Sequence, residues 1–105
     1  AIGAHPDPAA AVAVAKLLRT HENWAMRVLG AQALGRLGAA GSGPETTRAL
    51  RDAALHDGYA LVREAALLAL ASYDKAASAQ VAAEVAQKDV EPRVRETAKR
   101  IASTH

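Results

Sequence analysis

Histidine has the widest chemical use of any side chain in this sequence, as a metal ligand or as a proton carrier near neutral pH. The four histidines stand at positions 5, 21, 56 and 105. None forms a His-x-x-x-His or His-Glu-x-x-His pair, and no carboxylate cluster accompanies them. His21 and His56 fall near the ends of predicted helices, where a cation interacts favourably with the helix dipole. The sequence therefore predicts no metal and no cofactor, and a helix-end role for these two histidines.

Other candidate catalytic groups lack the partners that their chemistry needs. Ser72 and Asp74 have no histidine nearby, and no nucleophile elbow surrounds the serine. The segment 41–44 is glycine-rich and precedes a predicted helix, an arrangement that can hold an anion. It lacks the Lys-Ser/Thr pair of a phosphate-binding loop and a preceding strand, so a linker explains it better. The chain has no cysteine, which excludes thiolate chemistry. We expect a protein that is not an enzyme.

A charged pattern recurs three times along the chain. The central copy reads Asp57, Val62-Arg63, Ala66 and Ala69-Leu70. The skeleton returns as Asp89, Val94-Arg95, Ala98 and Ile101-Ala102, and earlier, with His21 in place of Asp, as Met26-Arg27, Gly30 and Ala33-Leu34. The arginines at 27, 63 and 95 are 36 and 32 residues apart, which indicates stacked supersecondary units.

The acidic and basic members of this pattern predict a ladder of charge-assisted hydrogen bonds through the stack. Its expected members are Arg27, Asp57, Arg63, Asp89 and Arg95. Arg63 is expected to bridge adjacent units through either Asp57 or Asp89. The first unit has His21 where the others have Asp, so its rung lacks the expected carboxylate.

Helix signals fill the chain between these residues. Six helices are predicted, at about Pro8–Arg19, Trp24–Leu37, Pro44–Leu55, Tyr59–Ser72, Lys75–Gln87 and Pro92–Ser103. The expected N-terminal caps are Asp7, Asn23 and Asp74. Gly38 is expected to end the second helix. Ser42 and Glu45 have the spacing of a capping box for the third helix.

The repeated pattern resembles that of a known family. The pattern Asp-x4-Val-Arg-x2-Ala-x2-Ala-Leu over 57–70 is similar to the second helix of a HEAT repeat, and Ala-Leu-Gly-Arg-Leu-Gly over 33–38 resembles an ending common in bacterial HEAT-like repeats. The resemblance covers nearly the whole chain. It implies an all-α fold, a right-handed α-solenoid of three HEAT-like helical hairpins in one domain over 1–105. The repeats are expected at about 7–38, 44–73 and 74–103, with the second helix of each hairpin on the concave side.

Composition limits the partners. The 105 residues include 13 basic and 11 acidic side chains, so the net charge of +2 creates no strong attraction to nucleic acid or to a membrane surface. Half of the residues are hydrophobic but there is no Phe, so the core must consist of closely packed helices with Leu, Val and Ala between them. No run reaches transmembrane length without charges. The Ala- and Arg-rich, Lys-poor composition favours a bacterial source, and we expect a cytoplasmic location.

The two ends of the repeat pattern differ. The third copy carries Thr97, Lys99 and Arg100 at flank positions that are apolar in the second copy. A terminal repeat needs a polar outer face, so this end is expected to close the array. The first predicted helix is apolar over 9–15, and residues 1–3 match 36–38 about one repeat later. We expect further repeats or another domain ahead of residue 1; the alternative is that these alanines pack inside the first hairpin.

The expected function is non-catalytic binding of another protein, or of a preceding domain of the same chain, on the concave face. The predicted partner-binding residues are Trp24, Val28, Gln32, Glu64, Leu68, Glu96 and Lys99. Trp24 is the expected hot spot if its ring is exposed, and packing over the first hairpin is the alternative. Two other functions stay open: an accessory domain that positions substrate for a larger enzyme, and a fragment of a HEAT-like enzyme similar to the phycobilin lyases or the DNA glycosylases.

Overall fold

The computed structural model describes residues 8–104 as six α-helices without a strand in that range. The helices are α1 (Pro8–Thr20), α2 (Trp24–Ala39), α3 (Pro44–His56), α4 (Ala60–Ala71), α5 (Lys75–Lys88) and α6 (Pro92–Ser103). The predicted number of helices is confirmed, and most predicted ends lie within two residues of the observed ones. The predictions made for residues 1–3, His5, Asp7 and His105 lie outside the described residues.

The helices form two layers. Helices α1, α3 and α5 pack side by side in chain order, and α2, α4 and α6 form the second layer against them. Leucines fill the space between the layers, and the fully buried ones are Leu18, Leu34, Leu50, Leu67 and Leu70. Each helix buries one stripe against the neighbouring hairpin as well as against its own partner. The fold is therefore an all-α solenoid, as predicted.

Side-chain caps begin two of the helices, α2 and α5, as expected. The side chain of Asn23 accepts hydrogen bonds from the backbone N–H groups of Ala25 (2.8 Å) and Met26 (3.4 Å). Asp74 accepts one from the N–H of Ala77 at 3.0 Å. These caps satisfy N–H groups that have no partner inside the helix. They fix where α2 and α5 start, and with them the position of the exposed helix faces.

Two predictions about helix termini are wrong: that Gly38 ends α2, and that a capping box begins α3. Helix α2 runs through Gly38 to Ala39. A glycine is needed at position 38 because the Tyr73 ring leaves no room for a side chain: a Cβ there would lie 2.4–2.6 Å from ring atoms of Tyr73. The chain turns at Gly41 instead, where φ is +95°. The predicted capping box is absent too, because Gly43 is the N-cap of α3 and the hydroxyl of Ser42 bonds to that of Thr46.

Candidate binding surface

A ladder of arginine–aspartate pairs joins successive hairpins. Arg27 Nε donates to Asp57 Oδ2 at 3.0 Å and Nη2 donates to Oδ1 at 3.1 Å. Arg63 and Asp89 repeat this fork, at 2.8 and 3.0 Å. Each arginine reaches forward to the aspartate of the following hairpin. The first rung therefore forms even though His21 replaces Asp, because the carboxylate of that rung comes from the second hairpin.

The second rung is the more buried one. The side chains of Arg63 and Asp89 are 11% and 5% exposed. Burial raises the pKa of Asp89, but the hydrogen bonds from Arg63 and from the N–H of Glu91, with the charges of Arg63 and Arg95, outweigh it and hold the pKa below its ordinary value. The pKa of Arg63 is raised, chiefly by its hydrogen bond to Asp89. The pair is therefore ionised and holds α4 against the start of α6.

The ladder also fixes the loops inside the hairpins. The third guanidinium nitrogen of Arg63, Nη1, donates to the backbone oxygen of Asp57 at 2.9 Å, and Arg95 Nη1 donates to that of Asp89 at 2.7 Å. Of the two aspartates considered for Arg63, Asp89 supplies the carboxylate and Asp57 the carbonyl. Arg63 thus binds the loop before its own helix as well as the next hairpin, and Arg27 does the same through the backbone oxygen of His21 at 2.8 Å.

Trp24 lies at the start of α2 and stacks on Tyr59. The ring centroids are 4.7 Å apart and the planes differ by 16°. Both side chains are 40% exposed. The alternative that Trp24 packs over the first hairpin is wrong, because its ring partner belongs to the second hairpin. The two stacked rings form a partly exposed aromatic surface beside the ladder. Aromatic side chains of this kind are common in binding hot spots.

An open groove runs between α2 and α4 on the side away from α1, α3 and α5. We call it the B-helix groove; its lining residues are Gln32, Gly35, Arg36, Ala39, Ala65, Leu68, Ala69 and Ser72, and its volume is about 340 Å³. The helices come close here, since a Cβ on Gly35 would lie 3.0 Å from the Cβ of Ala69. Leu68 is 50% exposed at its edge. Small residues form the floor, and larger side chains form the rim.

The structure brings two of the predicted partner-binding residues, Gln32 and Leu68, together in this groove. Val28 is partly buried against the core. Glu96 and Lys99 are exposed on α6 and lie 3.6 Å apart as an ion pair. Lys99 occupies the skeleton position of Leu67, which is fully buried, so it lies on the open C-terminal flank of the array.

The Glu64 side chain is hydrogen-bonded to residues of α6. Its carboxylate accepts a hydrogen bond from Arg93 Nε at 2.9 Å and another from the Thr97 hydroxyl at 2.6 Å. The Glu64 side chain is only 12% exposed, whereas that of Arg93 is 68% exposed. The Arg93 side chain thus connects α6 to α4.

Sequence reasoning missed Arg36 and Tyr59, and it considered Ser72 only as a candidate catalytic group. Arg36 lies in the Ala-Leu-Gly-Arg-Leu-Gly segment that was used only to recognise the repeat. Its exposure follows from helical spacing, since it lies one turn beyond Gln32 on α2. Ser72 lies one turn beyond Leu68 by the same rule. The stacking of Tyr59 depends on the offset between hairpins, which the sequence of one repeat does not contain.

The described part of the chain offers little for metal or membrane chemistry. Within residues 8–104, no three His, Cys, Asp or Glu side chains converge as a metal site. No helix in this range has both the length and the apolar character needed to cross a bilayer. Arg36 is the one charged side chain that lines the B-helix groove. The groove is thus equipped for contact and hydrogen bonding.

Comparison with known proteins adds one match. A family model described as HEAT repeats matches residues 11–102, which includes all six helices in whole or in part. No curated protein and no solved structure matches the chain.

Proposed function

The chain belongs to the HEAT-repeat family, and from that premise we propose that it is a non-catalytic module that binds another protein through the B-helix groove. HEAT repeats commonly serve as protein-interaction scaffolds. The observation that carries the proposal is the half-exposed Leu68 at the edge of a groove floored by glycine and alanine. A bound side chain reaches the backbone of α2 and α4 here without displacing a large residue.

The lining of the groove indicates the chemistry of its ligand. Ala65, Ala69 and Leu68 offer apolar contact on α4, and Gln32 and Arg36 offer hydrogen-bond donors on α2. A partner segment with an apolar side chain next to a carboxylate satisfies both sides, because Arg36 is able to bind a carboxylate through two N–H groups. Interfaces with an apolar centre and a polar rim have this composition.

The same lining argues against catalysis in the groove. Proton transfer needs a side chain with a pKa near the working pH, held within hydrogen-bond reach of the substrate. An arginine stays protonated, and the serine hydroxyl of Ser72 donates to the backbone oxygen of Ala69 at 2.6 Å. The bacterial source stays a prediction from composition, and the cytoplasmic location also stays a prediction.

Selection from a random-peptide library on the intact chain tests this proposal. Peptides are selected against the unmodified protein and then measured against Leu68→Glu and Val90→Glu. Val90 is the matched control, because it is an exposed aliphatic residue (85%) in the loop before α6, away from the groove. We expect most selected peptides to weaken about tenfold or more with Leu68→Glu, the loss typical of a hot spot, and to bind Val90→Glu normally. Peptides that bind Leu68→Glu as tightly as the unmodified chain contradict the proposal.

A further inference from the structure

The first hairpin carries an apolar surface on the side opposite to the second hairpin. Met26 and Leu29 of α2 are 37% and 56% exposed. On α1, Ala10 and Ala13 are exposed as well. We call these four residues the N-terminal flank; they are separate from the B-helix groove.

The same skeleton positions are buried in the third hairpin and buried or partly buried in the second; Leu29, for example, corresponds to the partly buried Ala65 and the buried Thr97. Val62 and Val94, which correspond to Met26, are 0% and 1% exposed. Thr46, which corresponds to Ala10 at the shared spacing of 36, is fully buried. These positions are covered because the preceding hairpin packs on them, α2 against α4 and α4 against α6. The N-terminal flank thus has the residue positions that are covered at the two interfaces between hairpins.

At the N-terminal flank, His21 takes the place of the ladder aspartates, Asp57 and Asp89. Asp57 and Asp89 each accept a hydrogen bond from the N–H two residues later, at 2.9 Å, and also bind the arginine of the preceding hairpin. His21 Nδ1 performs the first task, accepting from the N–H of Asn23 at 3.0 Å. The ring then carries its proton on Nε2, which is a donor. An arginine brought to this place would meet a donor instead of a carboxylate.

We propose that the N-terminal flank is a docking surface for one further helical hairpin of the same repeat type, with a hydrogen-bond acceptor in place of the rung arginine. The surface fits such a hairpin because its residues occupy the positions through which α4 contacts α2 and α6 contacts α4. A second copy of this chain, stacked head to tail, fits poorly. Its α6 flank presents Arg95 and Lys99, and Arg95 would face His21.

An extended protein tests the fit. A copy of residues 44–74 is joined directly to Pro8 of the chain, so that Asp74 precedes Pro8, and the copied Arg63 is replaced by Gln. We expect one cooperative unfolding transition with a melting temperature about 5–10 °C above that of the original chain, since an added repeat contributes a new interface. The control is Leu29→Asp, which should abolish most of this rise in the extended protein and shift the original chain by less than about 2 °C.

The rung chemistry is tested in the same extended protein. With the copied Arg63 retained, the melting temperature should be lower than with Gln, and His21→Asp should then raise it by about 4 °C or more. In the original chain His21→Asp should change it by less than about 2 °C, because an aspartate keeps the hydrogen bond to Asn23. The absence of a rise in the extended protein, or a rise that survives Leu29→Asp, overturns the docking surface. A dimer of the original chain that Leu29→Asp dissociates overturns it in favour of a second copy.

Discussion

Replacing Arg63 by alanine is the sharpest perturbation of the ladder. The substitution removes both charged hydrogen bonds to Asp89, at 2.8 and 3.0 Å, and the one to the backbone oxygen of Asp57. It leaves a carboxylate that is only 5% exposed without its counter-ion. Removing one partner of a fully buried pair costs about 3–5 kcal/mol, and an exposed pair contributes under about 1 kcal/mol. Because Asp89 keeps its hydrogen bond from Glu91, we expect a loss of about 3 kcal/mol.

Arg93→Ala is the matched control. Its Nε is 2.9 Å from the carboxylate of Glu64, within the 2.8–3.1 Å range of the ladder bonds, but the Arg93 side chain is 68% exposed. Glu64 also keeps its hydrogen bond from Thr97. We expect a loss of about 1 kcal/mol or less. The two variants therefore differ in the burial of the arginine and in the number of hydrogen bonds lost, three for Arg63 and one for Arg93.

The assay is urea unfolding followed by circular dichroism at 222 nm, analysed by linear extrapolation. A double-mutant cycle with Asp89→Asn separates the pair from the other contacts of Arg63. Equal losses for Arg63→Ala and Arg93→Ala would refute the reasoning that a buried, forked ion pair costs more to break than one with an exposed arginine. A coupling energy near zero in the cycle would show that the loss comes from the carbonyl of Asp57 and not from the ion pair.

Three further predictions concern titration and close packing. The lowered pKa of Asp89 stabilises the fold above the unfolded pKa of about 4, and this contribution is lost as pH falls below it, so acid unfolding should be shallower in Asp89→Asn. Burial raises the pKa of Tyr73, so stability should fall as pH rises above about 10, and Tyr73→Phe should remove that dependence in alkaline melting curves. Gly38→Ala should lose about 1–3 kcal/mol in urea unfolding, since the new Cβ meets the Tyr73 ring, whereas Gly58→Ala has open space and should lose little.

The helices could be predicted from sequence because their signals are local. Asn23 and Asp74 cap the residues immediately after them, and Pro44 and Pro92 occupy first-turn positions that suit proline. The error at Gly38 has the opposite cause. The residue that requires a glycine there is Tyr73, 35 positions later, and a glycine near the end of a helical pattern looks like a terminator when only its neighbours are considered.

The pairing within the ladder and the lining of the groove could not be predicted from the sequence, because both depend on the offset between successive hairpins. The sequence identified Arg63 and both aspartates, but the choice of Asp89 for the carboxylate depends on how far one hairpin is displaced from the next. The same displacement brings Trp24 onto Tyr59 and places Gln32 opposite Leu68. Periodicity within one repeat assigns residues to a helix face. It does not specify which faces of two helices meet.

The most direct test of the central claim is site-specific photo-crosslinking in the cells that make the protein. A benzoylphenylalanine replaces Leu68 in the groove in one variant, and in two controls it replaces Val90 or Val12, which are exposed elsewhere. Mass spectrometry then identifies any attached protein. We expect a discrete adduct with one partner from position 68 and none from positions 12 and 90. An adduct that forms from position 12 or 90 and not from position 68 would contradict binding in the B-helix groove.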